Sequence, residues 1–451
     1  MAVATLPLIR GFPRGSAFAY RNGRAVAVET FLGDVAQLAD LLPERRYVVN
    51  LCTDRYRFAV GFAAALLRGQ VSLLPPTEAA GVIARVASQH PDVYCLHDTA
   101  KVPASLAAMS FPERLAAATA TSRVPEVPAA QVAAIVFTSG STGQPVPYRK
   151  TWGSLVGVAL AELEILGLRT HSGMALVGTV PPQHVFGLEA TVLMVMQGGL
   201  ALHARRPFYP ADVRAALAEL PRPRGLVIAP VHLRVLLAEP DELPGAEFLL
   251  CATSPLSPQL AAQAEARFGT PLYEIYGCTE SGGIASRRTT ATSEWRAMAG
   301  VTLRTDDKGT WVKGGHVALE VPLPDMIELR SAGRFLLHGR TADLVNIAGK
   351  RTSLAHLNYH LNSIEGVRDG VFVVPEQQGE AVTRLAAYVV APGLSSEALL
   401  SALRERIDSA FLPRPLHFVD ALPRNETGKL PRQSLNQIAA SLGSEAEQIR
   451  R

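Results

Sequence analysis

The sequence lacks the features of a disulfide-stabilised or zinc-binding protein. It has four cysteines in 451 residues, with no C-x-x-C pair and no histidine at zinc-ligand spacing. The cysteines are scattered along the chain as Cys52, Cys95, Cys251 and Cys278. We therefore interpret them as buried free thiols.

Long apolar runs are also missing. No stretch approaches the ~18 uninterrupted apolar residues of a membrane span, because Glu162 and Glu164 interrupt 154–168 and Glu189 interrupts 185–202. Residues 1–10 contain no charged segment followed by an apolar one, so no secretory signal is expected. These absences predict no membrane span and a cytoplasmic location.

The chain has little excess charge of either sign. Its formal net charge is +4, and basic clusters are no longer than short groups such as Arg205-Arg206. This charge is too small and too dispersed to indicate a nucleic-acid partner. A modestly basic surface could still suit an acidic protein partner.

The composition is that of a well-packed globular protein, with 48% apolar and 19% charged residues. At 451 residues the chain exceeds the size at which one hydrophobic core keeps growing, so at least two domains are expected. Strand-like and helix-like segments alternate. One predicted helix starts at Ser257-Pro258, runs to Phe268 and stops at Gly269. This alternation predicts an α/β fold with largely parallel sheets.

The texture of the sequence changes after about residue 340, where charges become denser and segments shorter. We expect a large N-terminal α/β domain over 1–339, with mixed and parallel sheets flanked by helices, and a small α+β domain over 340–451. The Ala-, Ser- and Pro-rich stretch 96–128 is interpreted as a surface-lying connection.

One loop combines four hydroxyl side chains with two glycines and directly follows the apolar run 133–136: Thr138-Ser139-Gly140-Ser141-Thr142-Gly143. Glycines let backbone N–H groups turn toward a ligand, and hydroxyls add donors, so such a loop can form a nest for phosphate oxygens. The Walker A pattern does not fit it. Taken alone, the loop is either a phosphate site or an ordinary Ser/Thr/Gly surface turn.

Four further segments accompany the loop: Pro181-Pro182-Gln183-His184-Val185-Phe186-Gly187, Tyr276-Gly277-Cys278-Thr279-Glu280, Gly339-Arg340-Thr341-Ala342-Asp343 and Leu422-Pro423-Arg424-Asn425-Glu426-Thr427-Gly428-Lys429-Leu430. Together they resemble the adenylate-forming superfamily of acyl-CoA synthetases, stand-alone adenylation enzymes and luciferases. The resemblance covers residues 130–432. It implies a mobile C-terminal domain and, as substrates, ATP and a carboxylic acid that yield an acyl-adenylate and pyrophosphate.

The resemblance also implies a catalytic set of Lys429, Glu280, Thr279 and His184. Lys429 would bridge the incoming carboxylate and the α-phosphate, and its alternative is a solvated lysine in a Gly-containing turn. Thr279 can donate to an α-phosphate oxygen, and Glu280 is a hard oxygen ligand suited to Mg²⁺. Preorganised positive groups lower the barrier because charge shifts among several oxygens during attack.

For the nucleotide, the family positions assign Asp325 to the ribose hydroxyls and Arg340 to a second ribose or phosphate contact. Tyr276 would stack on adenine, and Glu274 would bind its exocyclic amine. The small-residue segment beside adenine is Thr253-Ser254-Pro255. Asp325 could instead be an ordinary turn residue and Tyr276 a core aromatic.

The acyl pocket is predicted to be closed by His184 and Phe186. Its other expected neighbours are Ile228, Ala229, Pro230 and Gly277. A pocket with few charges and some aromatic surface suits an aryl or short planar acid.

Two positions depart from the family pattern. Val146 stands where the loop lysine is usual, and Ala342 stands at a hinge position that is usually Asp or Lys. Either Arg149 or Lys150 replaces the lysine, or pyrophosphate stabilisation is weakened, or the chain is a non-catalytic nucleotide- or acyl-binding protein. The presence of Glu280, Arg340 and Lys429 argues against a loss of catalytic activity, because a non-catalytic protein has little reason to keep them. A hinge residue need not be polar.

The compact chain has no recognisable CoA-specific segment. It looks similar to the small ligases of aryl-polyene and xanthomonadin-type pigment clusters, which charge an aryl acid onto an acyl carrier protein. The expected acceptor is therefore the phosphopantetheine thiol of such a carrier, with free CoA as the alternative.

Overall fold

The computed structural model describes residues 4–99, 102, 106–113, 115, 123–139, 145–170, 173–340, 343–347, 350–374, 384–424 and 430. Within these residues the α-helices are α1 Val28–Leu41, α2 Arg55–Leu67, α3 Ala80–Ser88, α4 Trp152–Ile165, α5 Val185–Leu188, α6 Met194–Gly198, α7 Pro210–Glu219, α8 Pro230–Ala238, α9 Pro258–Phe268, α10 Leu354–Asn362 and α11 Ser396–Arg404. A π-helical turn, Glu189–Leu193, joins α5 to α6. Short 3-10 helices lie at Leu168–Thr170 and Ser409–Phe411.

The strands before residue 230 are β1 Thr5–Pro7, β2 Ala17–Arg21, β3 Arg24–Ala27, β4 Tyr47–Asn50, β5 Val71–Leu74, β6 Val93–His97, β7 Ala107–Ser110, β8 Glu126–Pro128, β9 Val132–Ser139, β10 Pro145–Thr151, β11 Ala175–Gly178, β12 Ala201–His203 and β13 Arg224–Ile228. Those after it are β14 Phe248–Cys251, β15 Leu272–Cys278, β16 Gly282–Arg287, β17 Trp295–Ala297, β18 Val301–Asp306, β19 Gly309–Gly314, β20 Val317–Leu323, β21 Asp325–Leu329, β22 Arg334–Arg340, β23 Leu344–Ile347, β24 Lys350–Ser353, β25 Asp369–Val373, β26 Ala386–Val390 and β27 Leu416–Phe418.

Local sequence signals explain where individual helices begin and end. In α9 the Ser257 hydroxyl accepts from the Leu260 N–H at 3.2 Å, and Pro258 occupies the first helical position. Gly269 ends the helix in a left-handed conformation with φ of 68°, which glycine adopts without a Cβ penalty. The predicted limits of this helix are confirmed.

The large sheet has eleven strands in the order β21-β22-β17-β16-β15-β14-β13-β11-β12-β2-β3. Its central strands, from β15 to β2, are parallel to one another, whereas β16, β17, β22, β21 and β3 extend it in antiparallel fashion. A second sheet has six strands in the order β10-β9-β5-β4-β6-β7. The predicted α/β class with mixed and parallel sheets is confirmed.

The central parallel strands are buried on both faces. In β11, Leu176 belongs to the main core shared with α1, α2 and α4, whereas Ala175 and Val177 belong to a second core with α7, α8 and α9. This arrangement is what parallel sheets require, because helices cover both of their faces. The loops at the strand ends therefore rest on a rigid base.

A third core lies in the C-terminal part of the described chain. It is formed by β23, α10, the three-stranded sheet β25-β26-β27 and α11, and it includes Leu357, Phe372 and Leu399. A smaller C-terminal unit is thus present, while its predicted boundary at residue 340 stays a prediction.

The interpretation of 96–128 as a surface connection is wrong in part. β7 pairs in parallel with β6 at the edge of the six-stranded sheet, and β8 pairs with β1. The Ala-, Ser- and Pro-rich composition did not indicate these strands, because they are only four and three residues long and carry no clear alternation of apolar and polar residues.

The four cysteines are free thiols, as predicted; Cys52, Cys95 and Cys251 are buried and Cys278 is half-buried. Among the described helices, none combines the length and apolar character needed to cross a membrane.

Candidate active site

Four parallel strands bring the predicted motifs to one edge of the large sheet. The strands β11, β13, β14 and β15 are neighbours in the sheet. The chain continues from their carboxyl ends into 181–187, Ile228–Pro230, Thr253-Ser254-Pro255 and Thr279-Glu280 respectively. Ligands bind at this edge of open α/β sheets, because it gathers loops from several strands.

The nucleotide residues Tyr276, Asp325 and Arg340 come from three strands of the large sheet, β15, β21 and β22. The Tyr276 hydroxyl donates to Asp325 Oδ2 at 2.9 Å, and Asp325 is the direct backbone partner of Arg340 in the β21–β22 register. The Tyr276 ring also packs against Trp295 and Phe335, with ring centroids 5.5 and 5.7 Å apart. Tyr276 is therefore a core aromatic as well as a candidate nucleotide contact.

Two other predicted adenine residues have notable environments. Thr253 has a φ of 88°, which is strained for a β-branched residue and is typical of functional loops. Glu274 is buried, and its Oε2 accepts from Arg287 Nε at 2.7 Å and from the Thr289 hydroxyl. Glu274 thus has a structural ion pair, and its role toward adenine stays a prediction.

Tyr148 on β10, which sequence reasoning missed, lies near Thr138 on β9 and near Glu280 in the turn between β15 and β16. Burial raises the pKa of Tyr148, as does the neighbouring Glu280 carboxylate, whereas Thr138 lowers it. Thr138 is the first residue of the hydroxyl-rich loop, and it pairs with Val146 of β10 in the strand register. Tyr148 therefore lies between the start of the phosphate-loop candidate and the magnesium candidate. Strand alternation around the unusual Val146 was the signal that could have identified it.

Strand β10 also carries Arg149 and Lys150, the two candidates to replace the lysine that is missing at Val146. Val146, Tyr148 and Lys150 alternate along one face of β10, and Arg149 is exposed on the other face. Lys150 is only 7% exposed, and its Nζ donates to the Glu280 carbonyl oxygen at 2.7 Å. Lys150 thus contacts the turn that carries Glu280.

Hydrogen bonds made by Arg55 and Gln183 fix the segment 181–187 and the chain that leads into it. Arg55 is fully buried, and its Nη2 donates to the carbonyl oxygens of Gly178 at 2.7 Å and Val180 at 3.1 Å. Burial lowers the pKa of Arg55 to about 9, so its guanidinium remains charged near neutral pH. Gln183 Nε2 donates to the Cys52 carbonyl oxygen at 3.0 Å. The chain entering α5 is therefore anchored to α2 and the loop before it.

His184 caps α5, since its Nδ1 accepts from the Phe186 N–H at 3.3 Å. Phe186 is 5% exposed, and Ile228, Ala229 and Pro230 are buried on the neighbouring strand end. Gly277 lies opposite Gly283 at an irregularity in the β15–β16 pairing. The predicted pocket residues thus lie along the same sheet edge, and their contact with an acyl group stays a prediction.

Several predicted residues lie outside the described part of the chain: the loop Gly140-Ser141-Thr142-Gly143, the hinge residue Ala342 and Lys429. For Ser139 and Arg340 only the strand position is described. Their roles stay predictions. Among the described residues, no group of three or more His, Cys, Asp or Glu side chains is arranged to hold a metal ion.

Comparison with known proteins agrees with this geometry. A model of the AMP-binding enzyme family matches residues 43–314, and a model of the AMP-binding enzyme C-terminal domain matches 361–429. The 4-coumarate–CoA ligase of Rhodobacter capsulatus is 30% identical over 301 residues, which cover 66% of this chain and 74% of the relative.

Two solved structures share the fold. ATP-bound MatB from Rhodopseudomonas palustris has a TM-score of 0.80 at 18% identity, covering 94% of this chain and 96% of MatB. The anthranilate CoA ligase AuaEII with anthranoyl-AMP has a TM-score of 0.80 at 17% identity, covering 98% of this chain and 99% of AuaEII. The predicted ligase class is confirmed by the curated relatives. The chain belongs to the AMP-binding enzyme family.

Proposed function

We propose that this chain uses ATP to convert a carboxylic acid to an acyl-adenylate, with release of pyrophosphate, and then transfers the acyl group to a thiol. The observation that carries the proposal is the hydrogen bond from Lys150 of β10 to the Glu280 carbonyl oxygen, on the strand that pairs with Thr138, together with the Tyr276–Asp325 hydrogen bond. These contacts support a single nucleotide site for the phosphate, metal and ribose candidates.

In the first step a carboxylate oxygen of the acid attacks the α-phosphorus, and the bond to pyrophosphate breaks. Thr279 donates to an α-phosphate oxygen, Asp325 binds the ribose, and Lys429 bridges the two reactants. The half-exposed Glu280 carboxylate is a suitable ligand for Mg²⁺, which usually takes one or two carboxylates together with substrate phosphates. When bound, the ion neutralises charge on the phosphate oxygens.

We propose an aryl or hydroxyaryl acid as substrate. The buried Phe186 and the apolar segment Ile228–Pro230 support a planar apolar group. Relatives named for 4-coumarate and for indoleacetate, which act on such acids by their names, support the same class.

For the second step, the names of the relatives favour free CoA as acceptor. The alternative acceptor is the phosphopantetheine of an acyl carrier protein, as in the pigment-cluster ligases. A small net positive charge of +4 would suit an acidic carrier. Either acceptor agrees with the predicted cytoplasmic location.

ATP–pyrophosphate exchange with a panel of aryl and aliphatic acids tests the first step. We expect exchange with at least one aryl acid and weaker exchange with aliphatic acids of similar length. Binding of ATP without exchange for any acid would instead support a non-catalytic binding protein. With the active acid, mass spectrometry of CoA and of phosphopantetheinylated carrier proteins then identifies the acceptor.

A further inference from the structure

A buried group of ionisable side chains lies behind the turn that carries Thr279 and Glu280. Lys150 on β10, Glu162 on α4 and Glu189 in the π-helical turn are 7%, 0% and 3% exposed. Buried charges are costly unless they are paired or neutralised, so this arrangement requires an explanation.

The turn packs against this group at three backbone positions, Glu280, Gly282 and Gly283. The Glu280 carbonyl oxygen accepts from Lys150 Nζ at 2.7 Å, and the Gly283 N–H donates to Glu189 Oε2 at 3.2 Å. Gly282 has a φ of 76°, and a Cβ there would lie 2.6 Å from Glu189 Oε1. A Cβ on Gly283 would lie equally close, at 2.6 Å, to Glu162 Oε1. The glycines thus let the turn rest directly on the two carboxylates.

The charges of the group balance when Glu162 is neutral. Burial, and then the neighbouring Glu189 charge, raises the pKa of Glu162 well above its ordinary value. Burial raises the pKa of Glu189 to about 7, while the Lys150 charge opposes that rise. The Lys150 ammonium therefore favours the ionised form of Glu189, and the Glu162 carboxyl group stays protonated.

We propose that Lys150 is a positioning residue for adenylation, because its ammonium fixes the main chain at Glu280 and so orients the Thr279 hydroxyl and the Glu280 carboxylate. The inference rests on the proposed function. It differs from a direct phosphate contact by Lys150, because the ammonium is buried and hydrogen-bonded to the turn. Four residues of strand, about 13 Å, separate Lys150 from Val146, where the family places its lysine.

The deciding experiment compares Lys150→Met with the double variant Lys150→Met/Glu189→Gln. The single variant leaves Glu189 buried without the nearby positive charge, so both the thermal midpoint and kcat of ATP–pyrophosphate exchange should fall. The double variant removes both charges and should recover the thermal midpoint. Its kcat should stay at least about tenfold low, with KM for ATP changed less than about twofold, because the turn has lost its anchor. Recovery of kcat together with stability would overturn the proposal.

Three further variants sharpen the result. Lys150→Arg keeps a charged donor and should retain most of the kcat, so a loss as large as that of Lys150→Met would count against positioning. Adding Val146→Lys to Lys150→Met should not restore ATP–pyrophosphate exchange. Restoration would show that Lys150 acts by direct contact with the phosphates of ATP. Lys308→Met, at an exposed turn, is the matched control and should behave like the wild type.

Amide hydrogen exchange over residues 277–284 measures the anchor without depending on activity. It should be faster in Lys150→Met and in the double variant than in the wild type and in Lys308→Met. Unchanged exchange in both would overturn the proposal. A wild-type chain that is inactive with every acid would contradict the proposed function, and the amide exchange would still decide whether Lys150 holds the turn.

Discussion

At the residue scale, the site depends on side chains that bond across distant parts of the chain. The Lys150 ammonium connects β10 to the Glu280 carbonyl oxygen, and the Tyr276 hydroxyl connects β15 to Asp325. Each bond aligns a residue to which the proposed reaction assigns the metal or the ribose. Loss of one such bond should therefore cost rate more than stability.

We predict that Tyr276→Phe lowers kcat/KM for ATP in the exchange reaction by about five- to tenfold, because it removes the hydrogen bond to Asp325 and such a bond is worth about 1 kcal/mol. The thermal midpoint should change less, since the ring keeps its contacts with Trp295 and Phe335. Tyr209→Phe, at a side chain that is 66% exposed and away from the site, is the control. Equal rates for Tyr276→Phe and the wild type would contradict the proposed role of this hydrogen bond.

His232 makes the stability of the protein depend on pH. Its Nδ1 lies 2.9 Å from Thr179 Oγ1, and burial, followed by the charge of Arg206, lowers the pKa of His232 to about 4. Between about pH 6.5 and 4, His232 is therefore protonated in the unfolded chain but mostly neutral in the folded chain. The free energy of unfolding consequently decreases as the pH falls through this range. The loss attributable to His232 approaches about 3 kcal/mol.

We predict that His232→Gln loses this contribution. The difference in free energy of unfolding between wild type and variant should shift in favour of the variant by up to about 3 kcal/mol from pH 7 to pH 4. Urea unfolding of both proteins at several pH values measures this difference. Taking the difference cancels the titration of other buried groups, because wild type and variant share them. A pH-independent difference would show that His232 titrates normally in the folded state.

At the scale of elements, Gly187 explains why the acyl-pocket segment has its glycine. A Cβ at this position would lie 1.9 Å from the Pro181 carbonyl oxygen, so α5 could not pack against the turn that precedes it. The turn itself is held by Arg55 and Gln183 and cannot easily move away. A side chain at Gly187 must therefore displace α5 together with His184 and Phe186.

We predict that Gly187→Ala destabilises the fold by at least about 1–3 kcal/mol, the usual cost of overpacking a core. It should also raise KM for the acid, because Phe186 moves. Gly81→Ala is the matched control, since nothing lies within 4 Å of a Cβ there; it should be neutral or stabilise α3 by up to about 1 kcal/mol. Chemical denaturation of both variants makes the test, and equal stabilities would contradict the packing explanation.

At the scale of the whole molecule, one ion network joins α8 to the C-terminal sheet. Arg424 donates to both carboxylate oxygens of Asp369 at 2.7 and 2.8 Å, and Arg234 on α8 lies 3.7 Å from Asp369. Arg424 belongs to the segment that ends at Lys429. The network therefore connects Arg424, which belongs to the same motif as Lys429, to α8 through a few polar contacts, and the predicted rotation of the C-terminal domain requires these contacts to break.

We predict that Lys429→Ala abolishes adenylation yet barely changes thioester formation from preformed acyl-adenylate. The reason is that Lys429 is expected to act on the charges of the first step alone. ATP–pyrophosphate exchange measures one half-reaction, and release of AMP from supplied acyl-adenylate with thiol measures the other. Equal losses in both would refute the assigned role, and Lys308→Met again serves as control.

The sequence alone determined the family, the order of the motifs and the α/β class. Short signals carried this information: the Ser257-Pro258 start and Gly269 end of a helix, or the motif directly after β15, where residues close in sequence interact. Only the tertiary structure decided that Lys150 contacts Glu280, that the Tyr276 hydroxyl donates to Asp325, and that Glu274 already has an ion pair. The physical reason is that the partner of a buried polar group comes from whichever distant segment packs against it, and local sequence does not specify that segment.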